Sequence, residues 1–236
     1  MTRPIHRRFA TLNASNATQW DRLLACHSSN RLIVQQRNAQ NTNRVIRGYG
    51  AVYYDEKEKG SEYWLWDDIV ERIKPGAFSK VLDENQDVRA LFNHDPNHVL
   101  GRTVSGTLRL SSDAVGLYYE ADESPNDPTW LSVAEKINRG DVSGSSFGFI
   151  PSVTQWETVK EENRTYEIRW IVEMGMVFDV GPVTYPAYES ATSSRSISAD
   201  ERMQLLSERN AFYRDRDQSA VEVRLRTIKA NEVRVV

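Results

Sequence analysis

The sequence predicts a mainly β fold with a few helices, of the α+β class, with one core over about residues 44–190. Short runs rich in β-branched and aromatic residues recur from Arg44 onward, divided by Gly, Pro, Asn and Asp signals. The clearest helix signals inside that stretch bracket a single segment, which starts at Asp127-Pro128 and stops at Gly140. The flanks, residues 1–43 and 191–236, are polar and cannot bury much surface.

Taken in order, residues 1–43 are rich in Asn, Gln, Ser, Thr and Arg, and are expected to form a flexible arm with a short helix around Trp20–Ala25. At Arg44 the texture changes. RVIRGYGAVYY has strand composition, and Gly48 and Gly50 mark a bulge or a close approach. Tyr63–Ile73 is apolar and partly alternating, a strand or a strand pair. Lys74-Pro75-Gly76 is a turn signal, and Ala77–Leu82 fits a short helix. Val88–Phe92 is a short β run that ends at Asn93-His94-Asp95-Pro96. Gly101–Leu110 and Gly116–Ala121 read as two strands joined by Ser111-Ser112-Asp113. Beyond Gly140, Phe147–Thr158 and Tyr166–Phe178 read as strands divided by a charged loop. The second leads into Asp179-Val180-Gly181-Pro182. After Ser190 a linker precedes Ala199–Asp217, which reads as a polar helix, and a last stretch that alternates apolar and basic residues.

Composition narrows the function. The apolar fraction of 39% is low for a fully packed chain of 236 residues. A net charge of −3 with mixed signs gives no reason to expect nucleic acid or an anionic membrane as partner. One cysteine, Cys26, excludes an internal disulfide framework and fits a reducing compartment. No apolar run reaches the length of a membrane span, and the N-terminus has no secretory h-region. The sequence contains no Gly-rich phosphate loop, no Cys/His metal spacing and no H-E-x-x-H, so neither a metal nor a cofactor is expected.

Residues 144–148, Gly-Ser-Ser-Phe-Gly, match the nucleophile-elbow pattern G-x-S-x-G. An elbow needs a strand before its serine and a helix after it. Here the predicted helix comes first and the predicted strand second, which argues against an α/β-hydrolase. Ser146 remains a candidate nucleophile of another class. Of the four histidines, His6 and His27 lie in the arm. His94 and His98 follow a strand, and either could accept a serine proton. His94 is favoured because it ends an apolar run. A third group would hold the imidazole tautomer. Asp95, Glu173 and Asp179 all lie near strand ends, and Asp179 follows the apolar run WIVEMGMVF. The order His94, Ser146, Asp179 matches none of the three familiar triad orders.

Five segments carry a family resemblance, in order along residues 44–190. They are Gly48-Tyr49-Gly50-Ala51, Ile73-Lys74-Pro75-Gly76-Ala77-Phe78, and Leu91-Phe92-Asn93-His94-Asp95 with Leu100-Gly101-Arg102-Thr103. The last two are Gly144-Ser145-Ser146-Phe147-Gly148-Phe149 and Asp179 to Tyr188. In these the chain resembles the prohead, or capsid maturation, serine proteases of tailed bacteriophages, which look like distant relatives of the herpesvirus assemblins. The resemblance implies a single β-barrel-like, assemblin-type protease core at 44–190 with removable extensions at 1–43 and 191–236. It makes Ser146 the nucleophile, His94 the general base and Asp179 the third member, where a glutamate is commoner. Ser145 stands where many members have methionine, and Gly181-Pro182 departs from a commoner serine-plus-aliphatic pair. Assemblins use a second histidine as third member; this chain has none after His98.

The resemblance further implies action in the host cytoplasm, inside the assembling procapsid. Its substrates would be scaffold, or a scaffold-like segment of the major capsid protein, and the enzyme itself. A homodimer is an expectation by analogy alone. Two rival readings remain: a catalytically silent scaffold or capsid-interaction protein of the same fold, and an unrelated β-rich binding module.

Overall fold

The computed structural model describes residues 8–12, 32–38, 41–58, 61–184 and 199–232. Among these residues eleven strands and three helices are formed. The strands are β1 (Arg8–Leu12), β2 (Ile33–Asn38), β3 (Asn41–Val52), β4 (Glu62–Trp66), β5 (Ile69–Ile73), β6 (Arg89–Leu91), β7 (Val99–Arg102), β8 (Leu108–Ser112), β9 (Gly116–Asp122), β10 (Gly144–Glu161) and β11 (Arg164–Val183). The helices are α1 (Ser79–Asp83), α2 (Pro128–Arg139) and α3 (Ala199–Glu232).

The strands form two sheets rather than the single barrel-like sheet expected from the resemblance. One has seven strands in the order β1-β10-β11-β5-β4, with β6 pairing both β11 and β7. The other has four, in the order β2-β3-β9-β8. Neither path returns to its first strand. The mainly β, α+β class stands.

The core sits where the sheets face each other. On β10, Phe147 and Phe149 are fully buried and stack with ring centroids 4.5 Å apart. β3 crosses this face so closely that a Cβ at Gly50 would come within 3.0 Å of Val180 Cγ1. A Cβ at Gly48 would likewise meet Ser145 Oγ at 3.0 Å, so both glycines of the RGYGA run sit where the sheets approach closely. α2 covers an end of the core with Trp130, Val133, Ala134 and Ile137, the i, i+3, i+4, i+7 spacing of one helix face. Its start is capped by the Asp127 side chain, which accepts from Thr129 N at 2.9 Å. Its stop is Gly140 in the left-handed region at φ 82°.

Several elements differ from the sequence reading. Gly101–Leu110 is two strands, because Thr103–Thr107 turns: Gly106 N donates to Thr103 O at 2.9 Å, and Thr103 Oγ1 donates to Gln86 O at 2.7 Å. Tyr63–Ile73 is a hairpin, the second of its two readings. β10 and β11 are longer than expected, 18 and 20 residues, so Ser146 and Asp179 lie inside strands rather than at their ends. The expected arm contributes β1 and β2, which pair with β10 and β3. The helix expected around Trp20–Ala25 lies outside the described residues. The expected tail contains α3, which runs on through the alternating stretch to Glu232.

α3 is held by apolar and ionic contacts. Leu205 is fully buried against Ile69 and Trp156, with Leu206, Phe212 and Tyr213 beside it. Glu208 accepts from Arg169 Nη2 at 2.9 Å, and Arg169 Nη1 donates to Glu71 Oε2 at 2.5 Å. Arg169 is buried, which disfavours its charge, but the two carboxylates outweigh burial and hold its pKa above the ordinary value.

Candidate active site

Side chains alternate across a strand, so Ser145, Phe147 and Phe149 face β3, while Ser146 faces the other way. Ser145 is held on the core side: its Oγ lies 2.9 Å from the Tyr119 hydroxyl. Burial pushes the Tyr119 phenol well above its usual pKa, so the contact is between neutral groups. Ser146 pairs with Gly181 of β11, and Asp179, two residues back on that strand, pairs with Gly148. The pairing thus brings the Ser146 hydroxyl and the Asp179 carboxylate to one face as diagonal neighbours, about 7–8 Å apart at the backbone, which leaves room for an imidazole between them.

His94 arrives from the turn after β6. β6 pairs in parallel with β11 at Asp179 and Val180, so its C-terminal end points past the carboxylate. Asn93 and His94 both have positive φ, 56° and 57°. Two non-glycine residues in the left-handed region cost on the order of 1–3 kcal/mol each unless their surroundings hold them. Asn93 supplies the hold. Its N–H donates to Pro182 O at 2.9 Å, its Oδ1 accepts from Thr184 N at 2.7 Å, and its Nδ2 donates to Thr184 Oγ1 at 3.1 Å. The turn closes with Asp95 N donating to Phe92 O at 3.1 Å and Phe92 N to His98 O at 3.1 Å.

Gly181 lets these elements meet. Its φ is 154°, and a Cβ there would lie 2.0 Å from Leu91 O. Any larger residue would push β6, and with it the His94 turn, away from β11. The glycine of the unusual Gly181-Pro182 pair therefore has a geometric reason, since it admits Leu91; nothing in the structure explains the proline.

The result is a linked set. His94 Nδ1 lies 2.5 Å from Asp179 Oδ1, and His94 Nε2 lies 2.7 Å from Ser146 Oγ. The Asp179 and His94 side chains are 6% and 15% exposed, and Ser146 is fully buried. A carboxylate that accepts from Nδ1–H leaves Nε2 with its lone pair toward the serine hydroxyl. Such an arrangement can take the hydroxyl proton and stabilise the imidazolium that results.

The other residues weighed as partners are engaged elsewhere. His98 Nδ1 is 3.6 Å from Asp95 Oδ2, and Asp95 Oδ1 accepts from Asn97 N at 2.8 Å. That backbone bond holds the Asp95 carboxyl below its ordinary pKa. Glu173 accepts from Ser152 Oγ at 2.5 Å and Lys80 Nζ at 3.0 Å. Among the described residues no cluster of three His, Cys, Asp or Glu could hold a metal ion. No described helix is long and apolar enough to cross a membrane.

A serine hydroxyl, an imidazole and a carboxylate linked in this order are the side-chain set of a serine peptidase. The family model of the caudovirus prohead serine proteases matches residues 30–204, and the chain belongs to that family. Searches of curated proteins and of solved structures found no significant match.

Sequence reasoning did not find Asn93 as the clamp of the histidine turn, nor Tyr119 as the partner of Ser145. The Asn-His-Asp run was a visible signal for Asn93. Nothing local marks Tyr119, which is one of ten tyrosines.

Proposed function

We propose that the chain is a serine endopeptidase of phage head maturation, with Ser146 as nucleophile, His94 as general base and Asp179 as the group that orients the imidazole. The observation that carries this reading is the continuous link from Asp179 Oδ1 through His94 to Ser146 Oγ, at 2.5 and 2.7 Å. Ser146 Oγ attacks the scissile carbonyl carbon while its proton passes to His94 Nε2. The tetrahedral intermediate collapses as the C–N bond breaks and His94 returns the proton to the leaving amine. Water, deprotonated by the same histidine, then releases the acyl group.

The substrates in this reading are scaffold or the scaffold-like segment of the major capsid protein, and the chain's own ends. It works inside the assembling procapsid in the host cytoplasm. The core spans residues 44–190, and the flanking segments 1–43 and 191–236 are lost during maturation. Homodimerisation is part of the proposal only by analogy.

The test is intact mass over time for the chain co-expressed with its major capsid protein, wild type beside Ser146→Ala. Fragments of capsid protein or of the chain itself, in the wild type only, support the reading. Equal trimming in both, or no trimming in either, favours the silent scaffold of the same fold.

A further inference from the structure

The strand beside the nucleophile comes from the chain's own N-terminal segment. β1 pairs antiparallel with β10 in the register Arg8–Phe149, Phe9–Gly148, Ala10–Phe147, Thr11–Ser146 and Leu12–Ser145. It is the outermost strand of its sheet. It also lies N-terminal to the stretch matched by the family model, residues 30–204. Ser146 meanwhile has no exposed surface, so a peptide carbonyl reaches its Oγ only after something moves.

Successive N–H groups of an antiparallel strand point alternately to its two sides. β11 takes one side of β10 and β1 the other. One of the adjacent N–H groups of Ser146 and Phe147 therefore faces β1. Removing β1 would expose a row of backbone donors and acceptors along Ser145–Phe149, beside the serine. An extended peptide recognises such an edge by main-chain hydrogen bonds, largely regardless of its side chains. A donor next to the nucleophile is also where a developing oxyanion needs one.

We propose that the β10 edge along Ser145–Phe149 binds an extended peptide main chain of the substrate by strand addition, and that residues 8–12 hold this edge in the resting protein as an intramolecular competitor. The inference rests on the reading of Ser146 as nucleophile. A tethered segment competes at an effective concentration on the order of millimolar. Dilute peptides lose to it. Substrate segments crowded inside a shell do not.

The test uses the full chain carrying Phe9→Pro and Ala10→Pro. Proline has no N–H, and one of two adjacent N–H groups on β1 faces β10. The first readout needs no activity: hydrogen exchange at the amides of Ser145–Phe149 in the Ser146→Ala background. The prolines are expected to speed exchange there by about tenfold or more, scaled to the loss of a tethered partner. A synthetic peptide spanning His6 to Ala14 restores protection, while amides of β8 and β9, which do not border β1, stay unchanged. The second readout is cleavage of a capsid-derived peptide by the active chain: KM falls by about tenfold with kcat unchanged, and the His6–Ala14 peptide inhibits competitively.

Identical exchange with and without the prolines overturns the proposal, whether or not the chain is active. If the prolines also loosen β8 and β9, the peptide decides: absent or non-competitive inhibition of the parent chain overturns the proposal, and competitive inhibition supports it. If exchange responds as expected but no form cleaves peptide, strand occupancy holds and the nucleophile assignment fails.

Discussion

At the scale of single residues, Asp179 is the most informative position. In the proposed mechanism its carboxylate does not touch substrate; it accepts from His94 Nδ1 and so selects the tautomer that can take the Ser146 proton. Asp179→Asn keeps size and shape but presents an amide that can donate to Nδ1 and stabilise the wrong tautomer. The expected result is a fall in kcat of about 10⁴-fold with the unfolding midpoint nearly unchanged, read from steady-state kinetics beside urea denaturation. A fall of only a few-fold would mean that Asp179 merely packs. The three residues brought together here were each visible in the sequence, because each stands beside a strong local signal: a turn after a strand, a serine flanked by glycines, an acid after an apolar run. The anchoring of Asn93 to Thr184 was not visible, since its partner lies 91 residues away and neither residue type is diagnostic.

The elements bring these residues together through one close approach. β6 reaches β11 at Asp179 and Val180, and Gly181 makes room for the carbonyl of Leu91 immediately before the histidine turn. Gly181→Ala puts a methyl group 2.0 Å from that carbonyl, so the backbones must part. Overpacking of this kind costs about 1–3 kcal/mol. The expected outcome is a lower urea midpoint together with a reduced kcat, because His94 moves with Leu91. A variant that loses stability but keeps full kcat would show that the turn is positioned by Asn93 alone. The sequence carried most element types, because alternation and capping are local. The break at Thr103–Thr107 was missed although Ser105-Gly106 is a turn signal: Gly106 takes φ 70°, and Thr103 Oγ1 holds the turn by donating to Gln86 O. The lengths of β10 and β11 were also underestimated. Charged residues hid the ladder at its outer end, where it pairs out to Glu161 and Arg164, and Gly, Ser and Pro hid it at the inner end, where Gly144–Gly148 pair with Asp179–Val183.

For the molecule as a whole, the division into two sheets was beyond the sequence. Whether a sheet closes depends on which strands end as edges, and that is decided by pairings between distant segments. β1 is the clearest instance. Its five residues look like part of a polar arm, yet they pair with the strand that holds the serine. The same is true of α3, whose burial of Leu205 and ion pairing through Glu208 join a polar segment to the β10–β11 hairpin. Family membership was carried by short motifs spread over the core, which is why it was legible without any of these pairings. The measurement that bears most directly on the central claim is labelling with a fluorophosphonate, followed by peptide mapping, on the wild type, Ser146→Ala and His94→Ala. The account predicts one adduct, on Ser146, absent from Ser146→Ala and strongly reduced in His94→Ala. An adduct that persists in Ser146→Ala, or a Ser146 adduct indifferent to the loss of His94, would contradict it.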